Sequence, residues 1–340
     1  MMKKSLCRFA RLFPLPLLAA SLLVASCSSD DSNSPNQQPD PEQPASRPIY
    51  VEVSENKIVN TAEARQMTRA AITELSTLKK FKMAAYNGDV LDVFKVKKET
   101  GNWVVNGDWP PVPNNSSVTF YAYNGDFSDD FKDDYNIGVD FYYNSGNPYI
   151  SFKVEEGAND QQDLLVAKTA TTFDANNGMV ILTLDHACAA LDFTIALSEN
   201  AAAKDKTVVM KSATLYNVKN KGNYYYNANE GKGAWSELKA EGTVSYTLES
   251  TSGTSLSTTP HRLACNYIFM IPQTLTAWNK SDATDGTYID VVLSVSGGGG
   301  DKTVRFPFPK ELKAGDYYPI DIIIKAGAKD IIEGKRIFPS

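Results

Sequence analysis

Histidine is nearly absent from this sequence of 340 residues: there are two, His186 and His261, far apart along the chain. A histidine-based zinc site or a Ser–His–Asp triad would need both, plus partners, and no recognisable ligand or triad spacing surrounds either. Cysteine is scarce too, with four in the chain. Cys7 and Cys27 fall in an N-terminal leader, which leaves Cys188 and Cys265 as either one disulfide or two buried thiols. Beyond the leader no run is long and apolar enough to cross a membrane as a helix. Positive charge is not in excess either, since the formal net charge is −6. The first 27 residues carry Lys3, Lys4, Arg8 and Arg11 and no acid, so the remainder stands near −10. That balance argues against nucleic acid as a partner.

What is present begins with export. Four basic residues precede an apolar stretch from Leu12 to Val24, broken by Pro14, Pro16 and Ser21 and too short to span a bilayer. It closes on Val24-Ala25-Ser26-Cys27, which resembles the lipobox of bacterial lipoproteins, where the cysteine is acylated after cleavage just before it. The alternative is an ordinary signal peptide with a chance cysteine. Residues 28–48 hold almost no large apolar side chain and include Pro35, Pro39, Pro41, Pro44 and Pro48, so they read as a disordered, extended tether. Acyl chains on Cys27 would hold the protein to a membrane without spanning it.

About 290 residues remain, enough for one large or two ordinary domains. Val118-Thr-Phe-Tyr-Ala-Tyr123 is β-branched and aromatic, and Val180-Ile-Leu-Thr-Leu184 and Leu191-Asp-Phe-Thr-Ile-Ala-Leu197 alternate with period two. Tyr267 to Ile271, Ile289 to Val295 and Tyr318 to Ile324 continue the series, and Ile49 to Val53 begins it. Turn clusters separate them, including Asn124-Gly125, Asn144 to Asn147, Asn176 to Gly178 and Gly297 to Gly300. The pattern predicts an all-β chain of β-sandwiches. Its one helical candidate, Ala62 to Leu78, has a poor apolar face. Two domains are expected, 49–175 and 176–340.

Chemistry is thin. His186 lies between two strands, where capping or packing is the readier role than catalysis. Asp126 to Asp134 is acidic but lacks the glycine and terminal glutamate of an EF-hand loop, so a solvated loop is favoured over a calcium site. Gly297 to Gly300 lacks a following helix and lysine and reads as a hairpin tip, not a phosphate loop. Tyrosine and tryptophan could line a glycan-binding face, although sandwiches bury such residues routinely. A hydrolase would need a carboxylate pair in a cleft, which no spacing locates. No enzyme, metal or cofactor is implied.

A set of ordered motifs runs the length of the chain. Met67-Thr-Arg-Ala70 follows the strand-like Ile49 to Val53, and Phe81-Lys-Met-Ala-Ala-Tyr86 and Asp108-Trp-Pro110 come next. Asp163-Leu-Leu-Val-Ala167, Val180 to Ala187 with Leu191-Asp-Phe193, Phe269-Met-Ile-Pro-Gln273 and Leu312-Lys-Ala-Gly315 with Tyr318 complete it. This order resembles the fimbrillin family of Bacteroidales, the type V pilins and their relatives. The resemblance implies two tandem Greek-key β-sandwich domains of transthyretin-like topology, and a non-enzymatic structural subunit of surface fimbriae. Ser28-Ser-Asp-Asp31 is similar to the signal that sends lipoproteins of that group to the outer face of the outer membrane; a merely solvated tether is the alternative.

The resemblance also implies how such a subunit assembles. An arginine-specific protease would cut between Arg69 and Ala70, removing residues 49–69 with the first strand. A donor strand from another fimbrial subunit, the same or a paralogue, would then fill the groove. The last piece of the chain, 329–340, is a donor candidate through Ile331, Ile332, Ile337 and Phe338; its alternative is a hairpin folded back on its own domain. Without the resemblance Arg69 would be an ordinary exposed loop arginine. A second function stays open on the same fold: a surface-anchored adhesin or glycan-binding lipoprotein, taking host or bacterial surface ligands, that never polymerises.

Overall fold

The computed structural model describes residues 47–56, 75–124, 139–142, 146–158, 161–202, 206–229, 232–240, 245–278, 286–297, 300–326 and 332–337. Cys27, the tether, Arg69, Ala70, the acidic loop from Asp126, Ile331 and Phe338 lie outside these, as do the helical candidate as far as residue 74 and the side chains of Cys265, Ile332 and Ile337. The described residues all fall in one compact unit.

The chain is nearly all β. Its first nine strands are β1 (Tyr50–Glu55), β2 (Lys80–Asn87), β3 (Asp89–Glu99), β4 (Asn102–Val105), β5 (Val118–Tyr123), β6 (Val139–Tyr142), β7 (Tyr149–Lys153), β8 (Leu165–Thr171) and β9 (Met179–His186). A single helical turn, α1 (Phe173–Asn176), separates β8 from β9; Thr172 caps it by accepting a hydrogen bond from the Ala175 amide. The alternation seen in the sequence is realised in β9, where every second side chain from Val180 is buried and the others face solvent. Seven strands form one sheet in the order β1-β9-β8-β5-β2-β3-β4. β1 runs parallel to β9 at one edge and also lies against β4 at the other, so the sheet curls toward closure. Phe81, Met83, Phe94, Trp109, Phe120, Val180, Leu182 and Leu184 fill the interior, with Trp109 meeting Phe120 edge-on at 5.3 Å.

The remaining strands are β10 (Ala189–Leu197), β11 (Val208–Tyr216), β12 (Lys221–Asn229), β13 (Lys232–Lys239), β14 (Ser245–Ser255), β15 (His261–Met270), β16 (Thr274–Leu275), β17 (Tyr288–Val295), β18 (Asp301–Pro307), β19 (Lys310–Glu311), β20 (Tyr317–Ala326) and β21 (Ile332–Ile337); α2 (Glu199–Ala202) follows β10. They make four-stranded sheets ordered β15-β10-β20-β21, β14-β11-β17-β18 and β13-β12-β7-β6, with β16 paired to β19. β10 is buried along almost its whole length, with β15 and β20 paired to its two edges. Ile320, Ile322 and Ile324 of β20 are fully buried, as their shared face predicts, and Tyr318 packs at the margin. Pro319 pairs with Asp192 of β10, whereas β21 reaches β20 only from Asp321 onward. Its missing N–H therefore falls where β20 has a single neighbour. Gly297 and Gly300, both with positive φ, lie between the paired antiparallel strands β17 and β18, where the hairpin tip was expected.

The boundary expected at 175/176 falls in α1, between two strands of one sheet. The seven-stranded sheet runs on to His186, and the β7–β12 ladder joins segments from either side of that point.

Candidate functional site: the first strand and its seat

β1 is a six-residue edge strand in full register with β9, from Tyr50↔Met179 to Glu55↔Leu184. Ile49 is buried, and Val51 and Val53 pack on the inner cluster. The outer row of Tyr50, Met179 and Ile181 faces solvent. Gly178 makes the start of the ladder fit. Its carbonyl accepts from the Tyr50 amide at 3.0 Å, and a Cβ on it would stand 2.7 Å from the Pro48 carbonyl oxygen. Its φ of +78° is a second reason for glycine there.

Both ends of β1 are pinned by charge. At the N-terminal end the Arg47 guanidinium donates to the carbonyls of Pro110 (2.6 Å) and Val112 (2.9 Å) and to Asn114, and lies 5.6 Å over the Phe173 ring. At the C-terminal end Glu55 reaches into the protein. One carboxylate oxygen pairs with His186 Nε2 at 3.0 Å, and the other accepts the Leu75 amide at 2.8 Å. His186 Nδ1 in turn is hydrogen-bonded to Asp163, which is fully buried. Glu55 therefore ties the two flanks of segment 57–74, which contains Arg69, to each other and to the core. Burial pulls the His186 imidazole down, but the hydrogen bond and charge of Asp163, with the charge of Glu55, outweigh it and raise its pKa. Burial raises the Asp163 carboxyl in spite of His186.

A cleft of about 970 Å³ opens beside this pin. Lys168, Asp185, His186, Tyr224, Trp235 and Lys313 are among the residues that line it. β8 and β9 pair only at Leu165↔His186 and Val166↔Asp185, and the cleft follows β8 away from that junction.

His186, expected between two strands in a capping or packing role, is the last residue of β9 and pairs with the carboxylates of Glu55 and Asp163. Cys188 is a buried free thiol whose pKa burial pushes well up, the opposite of an activated nucleophile. Among the described residues no group of three or more His, Cys, Asp or Glu side chains could hold a metal ion. The sequence reading did not anticipate Arg47, Glu55 or Asp163, because their partners lie 20 to 131 residues away.

A family model for fimbrillin-like proteins matches residues 68–336, which leaves β1 outside the match. Among solved structures, a fimbrial protein of Bacteroides vulgatus is similar at 16% identity and a TM-score of 0.59, covering 86% of this chain and 98% of that one. A candidate cell adhesion protein of Bacteroides ovatus is similar at 13% identity and a TM-score of 0.49, covering 87% and 97%. No curated protein sequence matches. With most of its length matched by the family model, the chain belongs to the fimbrillin-like family.

Proposed function

We propose that the protein is a structural subunit of cell-surface fimbriae, exported as a lipoprotein on Cys27 and assembled by donor-strand exchange after cleavage between Arg69 and Ala70. As a fimbrillin-like chain it is a fimbrial or adhesin-type surface protein and not an enzyme. The observation that carries the finer reading is the seat of β1. That strand sits at the sheet edge between β9 and β4, and Glu55 and Leu75 bracket the segment holding Arg69. Once the chain is cut there, β1 is held by non-covalent contacts alone. Each large apolar side chain it buries is worth about 1.5–3 kcal/mol and each net hydrogen bond about 0.5–1.5 kcal/mol. Its loss leaves an apolar seat and an unpaired edge on β9, which an incoming strand would satisfy. Head-to-tail addition of this kind does not close on itself and gives filaments.

A donor must come from elsewhere, and residues 329–340 are the segment we favour. Ile332–Ile337 forms the edge strand β21, antiparallel to β20, so the donor role requires it to leave its own sheet. That same pairing favours the second reading, a surface adhesin that stays monomeric. Treatment of the folded precursor with a trypsin-like protease separates the two. The fimbrial reading expects a new N-terminus at Ala70 followed by a series of oligomers, both abolished by Arg69→Ala. A native surface form that still begins at Cys27 would overturn it.

A further inference from the structure

The sheet β13-β12-β7-β6 turns Ile150, Phe152, Tyr224 and Tyr226 into the core and its other face to solvent. On the outer face the register lines up like with like. Tyr142 is opposite Tyr149, which is opposite Tyr225. Asp140, Ser151, Asn223 and Ser236 form the next row, and Lys153, Lys221 and Lys239 the row after that. Ring centroids are 4.8 Å apart in each neighbouring pair, stacked for Tyr142–Tyr149 and tilted for Tyr149–Tyr225, and Tyr142 at the sheet edge is 44% exposed.

Between the aromatic and basic rows stands Glu237. The β12–β13 ladder steps from Asn223↔Ser236 to Lys221↔Lys239, so β13 carries an extra residue there. Such a bulge re-aims a side chain. Glu237 adopts a φ of +54°, an uncommon conformation for a residue other than glycine. Its carboxylate accepts hydrogen bonds from Asn223 Nδ2 and the Tyr225 hydroxyl, each at 2.9 Å. A shallow hollow of about 180 Å³ lies among Tyr142, Tyr149, Ser151, Asn223, Glu237, Lys221 and Lys239.

Three lysines directly opposite one another work against the sheet, since like charges in cross-strand pairs destabilise it. A left-handed glutamate adds strain, and residues held that way cluster at ligand-contacting positions. The net charge of −6 means that this basic row is not part of a generally positive surface.

We propose that this face binds an anionic glycan, a chain of sugar rings bearing carboxylate or sulfate groups. The exposed tyrosine edge offers an amphipathic surface to the apolar side of a ring. Glu237, held by Asn223 and Tyr225, accepts from sugar hydroxyls, and Ser151 and Asn223 supply further polar contacts. The lysine row takes the anionic group as a set of point charges. A phosphate backbone or an acidic peptide would satisfy the lysines but leave Glu237 facing negative charge. The site goes beyond the fimbrial reading and stands whether or not the chain polymerises.

The test is calorimetric titration of the full mature chain with polygalacturonate and with heparin, against neutral dextran, double-stranded DNA and polyglutamate. Expected is binding to at least one anionic glycan, with the other three probes at least roughly tenfold weaker. Lys221→Gln with Lys239→Gln should cut affinity roughly tenfold or more and flatten its salt dependence. These changes take like charges out of cross-strand pairs, so a melting temperature no lower than that of the parent is expected and serves as the folding control. Glu237→Gln should weaken binding while leaving the salt dependence as it was. No binding to either anionic glycan, equal binding to DNA or polyglutamate, or affinity indifferent to all three substitutions would each overturn the proposal.

Discussion

At the scale of single residues, the Glu55–His186–Asp163 pin has a sign that can be checked. The His186 pKa is raised above its ordinary value, about 6.5. A group shifted this way stabilises the fold fully below its unfolded pKa, and that contribution is lost as pH rises through the folded one. Stability should therefore fall as pH rises above about 6.5, and His186→Gln should flatten that fall. Thermal melts of both proteins between about pH 6 and pH 9 measure it. Gly178 gives a second prediction at this scale. Gly178→Ala places a methyl against the Pro48 carbonyl at positive φ, and should cost about 1–3 kcal/mol in urea unfolding. The same substitution at Gly88, where a Cβ would meet nothing, should cost less, since only the φ of +75° opposes it. Neither the pin nor the fit at Gly178 could be read from the sequence, because each depends on two strands from distant parts of the chain becoming neighbours.

At the scale of elements, the strands with strong alternation or continuous apolar runs were legible. Val118 to Tyr123 is β5, and the cores of β9, β10, β17 and β20 lie where period two put them. β12 and β14 were not. Lys221-Gly-Asn-Tyr-Tyr-Tyr-Asn-Ala-Asn229 and Ser245-Tyr-Thr-Leu-Glu-Ser-Thr-Ser-Gly-Thr-Ser255 are polar and rich in turn-forming residues, and are recruited by neighbours already in place. Of the proposed assembly site, the strand β1 and the arginine beyond it were visible, but the seat was not. The terminal segment supports a further prediction. β21 is an edge strand that lies beyond the buried isoleucines of β20, so deleting residues 329–340 should leave a folded chain. Circular dichroism should show a cooperative melt, and the trypsin-like cut at Arg69 should proceed, while electron microscopy finds no filaments. Polymerisation at the full-length rate would remove this segment from the donor role.

At the scale of the whole molecule, sheet membership was the hidden quantity. Period two says that a segment is a strand and which face is buried, but not beside which other strand it will lie. The sequence order suggested a division near residue 175, whereas β9 completes the first sheet and β7 pairs with β12. The central position of β10 carries a consequence for the order of folding. Its parallel neighbour β20 begins at Tyr317, so Ala190–Leu197 waits for nearly all of the chain before its second edge is covered. Contacts this distant in sequence slow folding, because the loop must close before the pairing is gained. A nascent chain cannot lock its larger core during synthesis, which is the condition that the export proposed for this protein would need. The same delay leaves one edge of β10 open while the chain is incomplete, and an unpaired strand edge is exposed to aggregation until β20 arrives.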